Sequence, residues 1–228
     1  MDMVENFTIK AVVFDLDGLM FDTEQLFYRV ARAAVAEHRR DFSPEVMASL
    51  IGRRGEEVNA VWRGLLGPDA HIGEFLEGVR ERFRARLDEV RPSAGLATLL
   101  DTLARLGMPR AVATSSRRAY ALDLLEQHRL LHSFSFVLTS EDVTRGKPDP
   151  EIYQLAAARL GLDPASILVL EDSVAGLAAA RSSGAYAVGV PHEHSPAERL
   201  VDAHLVVPRL DDPRLIAILE RRIRVSDR

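Results

Sequence analysis

Four short segments hold residues whose types and spacing could do chemistry. The first is Asp15-Leu16-Asp17-Gly18. Side chains two apart on extended backbone point the same way, so both carboxylates can face one site, and Gly18 permits the turn that follows. The second is Thr114-Ser115-Ser116, hydroxyls beside backbone amides where a helix opens, a natural cradle for an anion. The third, Gly146-Lys147-Pro148-Asp149-Pro150, presents one positive charge on a segment that its prolines hold out of helix. The fourth is Glu171-Asp172-Ser173, a second acidic pair. Singly, each has a plain explanation as a polar strand exit, a helix cap or a solvated lysine. Jointly they describe a site. Two carboxylates about 4 Å apart repel by about 4 kcal/mol at an effective dielectric near 20. Asp15, Asp17, Glu171 and Asp172 gathered together therefore require a cation or proton uptake. All-oxygen ligands favour a hard ion, and Mg2+ prefers few carboxylates plus waters and a substrate phosphate. Lys147 and the hydroxyls make a place for a phosphoryl group. An aspartate nucleophile attacking phosphorus, with a second acid relaying the proton, is a form of covalent catalysis.

These segments need elements to position them. Runs rich in β-branched residues predict buried strands at Ala11–Asp15, Arg110–Thr114, Phe136–Thr139, Ile167–Leu170 and Ala185–Val190, with Ala203–Val207 as a sixth. Helical patterns lie between them. Asp149-Pro150 and Asp163-Pro164 each offer an N-cap acceptor followed by proline, and Ser195-Pro196-Ala197-Glu198 reads as a capping box. Strand alternating with helix predicts an α/β fold, a parallel Rossmann-like sheet covered on both faces. Ligands of such sheets bind beyond the carboxyl ends of the strands, where the acidic pairs fall.

One interval breaks the alternation. From Thr23 to about Val90 no strand is expected, only helical stretches near Glu24–Arg39, Pro44–Leu50, Glu56–Leu65 and Gly73–Glu89. This predicts a small inserted all-α domain at residues 22–90 and a discontinuous catalytic core of residues 1–21 and 91–228.

Composition excludes several classes. The chain has 228 residues, 47 % of them apolar, enough for a core, and a formal charge of −5 that lacks the basic footprint of nucleic-acid binding. It has no cysteine, which removes disulfides, thiolate metal sites and cysteine nucleophiles. The longest stretches free of Asp, Glu, Lys and Arg are eleven residues, Leu130–Ser140 and Ser182–His192, too short for a membrane span. Met1–Lys10 does not read as a secretion signal. A cytoplasmic monomer with neither nucleic-acid nor membrane partner is expected. The seven histidines form no evident ligand set, and His192-Glu193-His194 reads as a solvated turn. Trp62, Phe21, Phe27, Tyr28 and Phe83 read as packing of the helical insert.

The four segments, with Asp22-Thr23-Glu24 after the first and Val174-Ala175-Gly176 after the last, give the chain a family resemblance. In order and spacing it resembles the haloacid dehalogenase-like hydrolase superfamily, in particular the β-phosphoglucomutase-like branch with a helical cap. The resemblance implies that Asp15 is a nucleophile forming an aspartyl-phosphate. It implies that Asp17 protonates the leaving oxygen and later activates water. By similarity Mg2+ sits on the Asp15 carboxylate, the Asp17 backbone carbonyl and Asp172, with Glu171 helping directly or through water. Ser115, with Thr114 or Ser116, and Lys147 hold the phosphoryl oxygens, and Glu24 is a substrate-binding position. An acid two residues after the nucleophile argues against dehalogenation, which in this family proceeds without one. The mutases carry a histidine where this chain has Phe27, and a cap arginine three residues after a glycine where it has Gly52-Arg53-Arg54-Gly55. Arg53 and Arg54 are candidates for gripping the leaving group. The expected activity is thus a Mg2+-dependent phosphatase acting on a small phosphorylated metabolite, a sugar phosphate by preference. The alternatives are a phosphosugar mutase and, from a non-enzyme class, a phospho-acceptor domain of the receiver type.

Overall fold

The computed structural model describes residues 8–50 and 55–221. The chain divides into two compact units, one comprising residues up to Phe21 and from Pro92 onward, the other Asp22–Arg91.

The first unit is built on β1 (Ala11–Phe14), β2 (Arg110–Ala113), β3 (Val137–Leu138), β4 (Ile167–Glu171), β5 (Tyr186–Gly189) and β6 (Leu205–Val206). Their spatial order is β3-β2-β1-β4-β5-β6, and every neighbouring pair is parallel. In register, Val13 stands beside Ala111 on one side and Val169 on the other. The strands AVVF and ILVLE are buried along their whole length, as strands covered on both faces must be. The accompanying helices are α5 (Leu96–Arg105), α6 (Arg118–Gln127), α7 (Glu151–Leu160), α8 (Val174–Ser183) and α9 (Pro213–Glu220). Tyr153, Ala156 and Ala157 of α7 and Leu177, Ala179 and Ala180 of α8 join Val13, Ala113, Leu138 and Val169 in one core cluster. Chain order runs outward in both directions from the β1–β4 pair, so the sheet has its switch point there, and sheets of this kind bind ligands beyond the carboxyl ends of the strands at that point.

All six expected strands form, most of them trimmed. Thr139 shows why β3 is short: its N–H and hydroxyl donate to the Asp142 carboxylate at 2.8 and 2.9 Å, which takes them out of the ladder. Asp149 accepts from Glu151 N at 3.1 Å where α7 begins. Asp163 accepts from Ala165 N as expected of a cap, but what it opens is a single 3-10 turn, Pro164–Ser166, because β4 starts at the next residue. The expected capping box at Ser195 does not form. Residues Ala197–Arg199 make a 3-10 turn without a side-chain cap, and the Ser195 hydroxyl donates instead to the Asp172 carbonyl.

The second unit contains α1 (Thr23–Glu37), α2 (Pro44–Leu50), α3 (Glu56–Leu66) and α4 (Ile72–Arg84), with no strand among its described residues. The helix expected over Gly73–Glu89 stops at Arg84, and a 3-10 turn at Leu87–Glu89 follows, burying Leu87. Its core is aromatic. Trp62 stacks on Phe42 at 5.2 Å and 7° and meets Phe75 at 5.2 Å, while Tyr28 meets Phe42 and Phe27 meets Phe83. Phe21 departs from the expectation, lying in the sheet unit, where its ring is 4.7 Å from that of His128. Among the described residues no helix is long and apolar enough to cross a membrane.

Candidate active site

The sheet unit brings the four segments to its carboxyl edge. Asp15 follows β1 directly, Thr114 follows β2, Glu171 ends β4 and Asp172 comes next. Asp15, Lys147, Glu171 and Asp172 are all buried, at 7, 4, 0 and 4 % exposure, so each charge must be satisfied locally.

Lys147 is the centre of the arrangement. Its ammonium donates to the Asp15 carboxylate, to Glu171 Oε1 at 2.7 Å and to the Ala113 carbonyl at 2.9 Å. Three donors meet three acceptors, leaving no ammonium hydrogen over. Burial works against its charge, but Asp15 and Glu171 outweigh burial and hold its pKa well above the ordinary lysine value.

Glu171 is the best-satisfied acid. Tyr153 donates its hydroxyl to Oε1 at 2.6 Å, and Oε2 accepts from Asp172 N, Ser173 N and Ser173 Oγ at 3.1, 3.2 and 2.9 Å. Burial alone would raise its pKa, yet Lys147, Tyr153 and Ser173 overcome that and lower it. Asp15 shares the lysine without such help. Burial raises its pKa well above the usual carboxylate range; Lys147 opposes this, and the charges on Glu171 and Asp172 add to it. Of the two acids on Lys147, Glu171 therefore holds its charge and Asp15 bears the excess.

Oxygens of Asp15, Glu171 and Asp172 lie within 4.8 Å of one another. With all three ionised, the state a bound cation favours, three carboxylates against one ammonium leave two negative charges over, the charge of one divalent cation. Buried hard oxygen donors with that deficit fit Mg2+. Asp172 is itself oriented: its Oδ2 is 2.9 Å from His192 Nε2, and its carbonyl accepts from Ser195.

Asp17 is not in that group. The expectation that both carboxylates of the first segment face one cluster is met only by Asp15. Asp17 Oδ2 accepts from Ser116 Oγ at 2.6 Å and Thr114 Oγ1 at 3.5 Å, and Oδ1 accepts from Tyr120 Oη at 2.7 Å. The hydroxyls expected to cradle an anion thus hold a carboxylate, while Ser115, exposed between them, contributes no such bond. Thr114 Oγ1 also accepts from Ser116 N at 3.0 Å, fixing the turn before α6. Arg53 and Arg54 lie outside the described residues, and Glu24 stands in the first turn of α1 in the other unit.

Two glycines are dictated by this packing. Gly18 has φ +78°, and a Cβ there would lie 2.2 Å from Asp172 Oδ2. A Cβ on Gly176 would lie 1.8 Å from Glu171 Oε1. Four participants escaped the sequence reading: Tyr120, Tyr153, His192 and Ser195. The first two lie on helices several residues beyond their motifs. His192, expected to be a solvated turn residue, is instead half-buried against Asp172.

A parallel sheet with this switch point and an acid–lysine cluster at its carboxyl edge defines a class, and comparison with known proteins states which. Residues 12–190 match the family described as haloacid dehalogenase-like hydrolase, and the chain belongs to that family. The fructose-1-phosphate phosphatase YqaB of Escherichia coli is 31 % identical, over 78 % of this chain and 95 % of its own length. A phosphorylated carbohydrates phosphatase of Thermotoga maritima is 28 % identical, over 87 % and 93 %. The crystal structure of CbbY from Rhodobacter sphaeroides in complex with phosphate superimposes with a TM-score of 0.78 at 26 % identity, covering 93 % of this chain and all of that one. The chain is an enzyme of the phosphoric monoester hydrolase class, which sets aside the receiver-type alternative.

Proposed function

We propose that this enzyme hydrolyses small phosphorylated metabolites, sugar phosphates first among them, in a Mg2+-dependent reaction through an aspartyl-phosphate on Asp15. The observation that carries the reading is the buried cluster in which one lysine leaves three carboxylates two charges in excess. The named activities of the two curated relatives support the substrate class.

In this reading Asp15 attacks phosphorus and the bond to the leaving oxygen breaks, with Asp17 supplying the proton. Asp17 then takes a proton from water as the water attacks the phosphorus of the aspartyl-phosphate, releasing inorganic phosphate and restoring Asp15. Asp15 and Asp172, the Asp17 carbonyl and Glu171 are the residues that would hold Mg2+. Glu171 already accepts five hydrogen bonds, which suits it to a supporting place. When bound, the ion would supply positive charge that offsets the negative charge of the carboxylates and the phosphoryl group. Ser115 provides a hydroxyl donor for the phosphoryl oxygens, Thr114 and Ser116 hold Asp17 beside it, and Lys147 keeps Asp15 aimed while offsetting its charge. Residues 22–90 serve as the cap domain, with Arg53, Arg54 and Glu24 as its substrate-binding positions. The protein acts as a cytoplasmic monomer.

The test is a panel of phosphorylated metabolites scored for inorganic phosphate with and without Mg2+. Metal-dependent release from sugar phosphates is expected. Isomer interconversion requiring a phosphorylated activator, with no net phosphate release, would replace hydrolysis by a mutase reaction.

A further inference from the structure

The segment after β5 has a use that the four motifs do not record. Val190 N donates to the Glu171 carbonyl at 2.8 Å, which ties the start of this segment to the end of β4. His192 and Ser195 then pair with each other through both backbone groups, N to O at 3.1 Å in each direction. The closed turn brings two side chains to one residue. Ser195, buried at 7 % exposure, donates its hydroxyl to the Asp172 main-chain carbonyl. His192 Nε2 meets Asp172 Oδ2 at 2.9 Å.

The tautomer follows from the other ring nitrogen. His192 Nδ1 accepts from His194 N at 3.3 Å, so in the neutral ring the hydrogen is on Nε2 and is donated to Asp172. The same oxygen lies against Gly18, where a Cβ would come within 2.2 Å of Oδ2. Asp172 is thus held at its carbonyl and at one carboxylate oxygen, which has His192 and Gly18 against it. Such outer partners decide how a ligating carboxylate is presented, and losing one typically costs about 10–100-fold in metal affinity.

We infer that His192 is a positioning residue for the divalent cation, its Nε2–H fixing the rotamer in which Asp172 presents its carboxylate to Mg2+. The inference rests on Asp172 being a metal ligand, as the proposed function has it. It assigns no chemistry to the imidazole itself.

The test is calorimetric titration of Mg2+ into the purified full-length protein without substrate. His192→Phe keeps a flat ring and removes the donor; His192→Gln restores an N–H at similar reach. The phenylalanine variant is expected to bind Mg2+ about 10–100-fold more weakly, and the glutamine variant to recover most of the loss. Metal-free melting curves certify the fold, and if the phenylalanine variant does not fold, His192→Asn, too short to reach Asp172, takes its place against glutamine. Wild-type affinity in the donor-free variant, or equal loss in the glutamine variant, overturns the inference. Asp172→Asn separates the two readings: retained Mg2+ binding there removes the metal assignment itself, whereas lost binding there beside unchanged binding in His192→Phe removes only the role of His192.

Discussion

Tyr120, on α6, donates its hydroxyl to Asp17 Oδ1 at 2.7 Å, while Ser116 holds the other oxygen of the same carboxylate at 2.6 Å. A short acid on a loop is thereby fixed from two sides by residues that follow β2. In the proposed mechanism that carboxylate delivers and then removes one proton, so its aim matters more than substrate affinity. Tyr120→Phe is expected to lower kcat by about tenfold, the loss of a hydrogen bond to a charged group, with KM little changed. Steady-state kinetics on the best substrate decide it, and a rise in KM at constant kcat would place Tyr120 in substrate binding instead. Asp17→Asn removes the proton relay itself and is expected to cost about 10^2–10^4-fold in kcat.

Asp15→Asn should separate chemistry from folding. Loss of the nucleophile is expected to lower kcat by about 10^4-fold or more. The fold should gain, because burial and the charges of Glu171 and Asp172 raise the Asp15 pKa in spite of Lys147. A carboxyl whose folded-state pKa is raised contributes stability at low pH that is lost as pH rises through that value. At neutral pH, above the unfolded carboxyl's pKa, Asp15 is therefore a cost, and Lys147 retains Glu171 and the Ala113 carbonyl without it. The metal-free melting temperature of Asp15→Asn at neutral pH should exceed that of the wild type. A lower value would mean that the Lys147–Asp15 pair is net stabilising.

The strand ends were legible because chemistry and local structure share residues there. Asp15, Thr114 and Glu171 each sit at or one past the last residue of a buried apolar run, and the β1–β4 switch point follows from strand–helix alternation. The direction of Asp17 was not legible. Alternation along a strand places it beside Asp15, but the strand ends at Phe14, and from there hydroxyls of another loop decide where the carboxylate turns. Ser195 misled for a related reason: a capping box and a donor to Asp172 use the same residue type, and only the tertiary partner distinguishes them. Tyr153 and Gly176 carry a weak signal, each lying within a few residues of a motif, but what they touch is set by the packing of α7 and α8 on the sheet.

Gly176 tests how firmly Glu171 is held. In a helix, alanine is intrinsically favoured over glycine by about 0.8–1.0 kcal/mol. Here the added methyl would lie 1.8 Å from Glu171 Oε1 and 2.2 Å from Oε2, and that carboxylate is bonded to Lys147, Tyr153 and Ser173. Overpacking alone costs typically about 1–3 kcal/mol, and disturbing a buried ion pair adds to it. Gly176→Ala is expected to lose about 2 kcal/mol or more of unfolding free energy, read as a lower urea midpoint at unchanged slope. A midpoint at or above wild type would show Glu171 free to move.

At the far edge of the sheet, His204 makes stability depend on pH. Its backbone N donates to the Ala187 carbonyl at 2.8 Å, and its Nδ1 accepts from Ala187 N at 2.9 Å. The imidazole thus stands in for ladder that the two-residue β6 does not supply. The ring stacks on Tyr186 at 4.8 Å and 13°. Burial lowers the His204 pKa, and the charge on Arg181 lowers it further. Protonating Nδ1 removes the acceptor that Ala187 uses. A group with a depressed folded-state pKa contributes stability that is present above its unfolded value, about 6.5 for histidine, and is lost as pH falls through the folded value. Wild-type protein should therefore lose unfolding free energy between about pH 7.5 and pH 5.5, whereas His204→Phe, with no titrating ring, should start lower and lose less over the same interval. Burial lowers His128 as well, but it is present in both proteins, so the difference between the two urea series isolates His204. Parallel series would show that its neutral form gives the fold nothing.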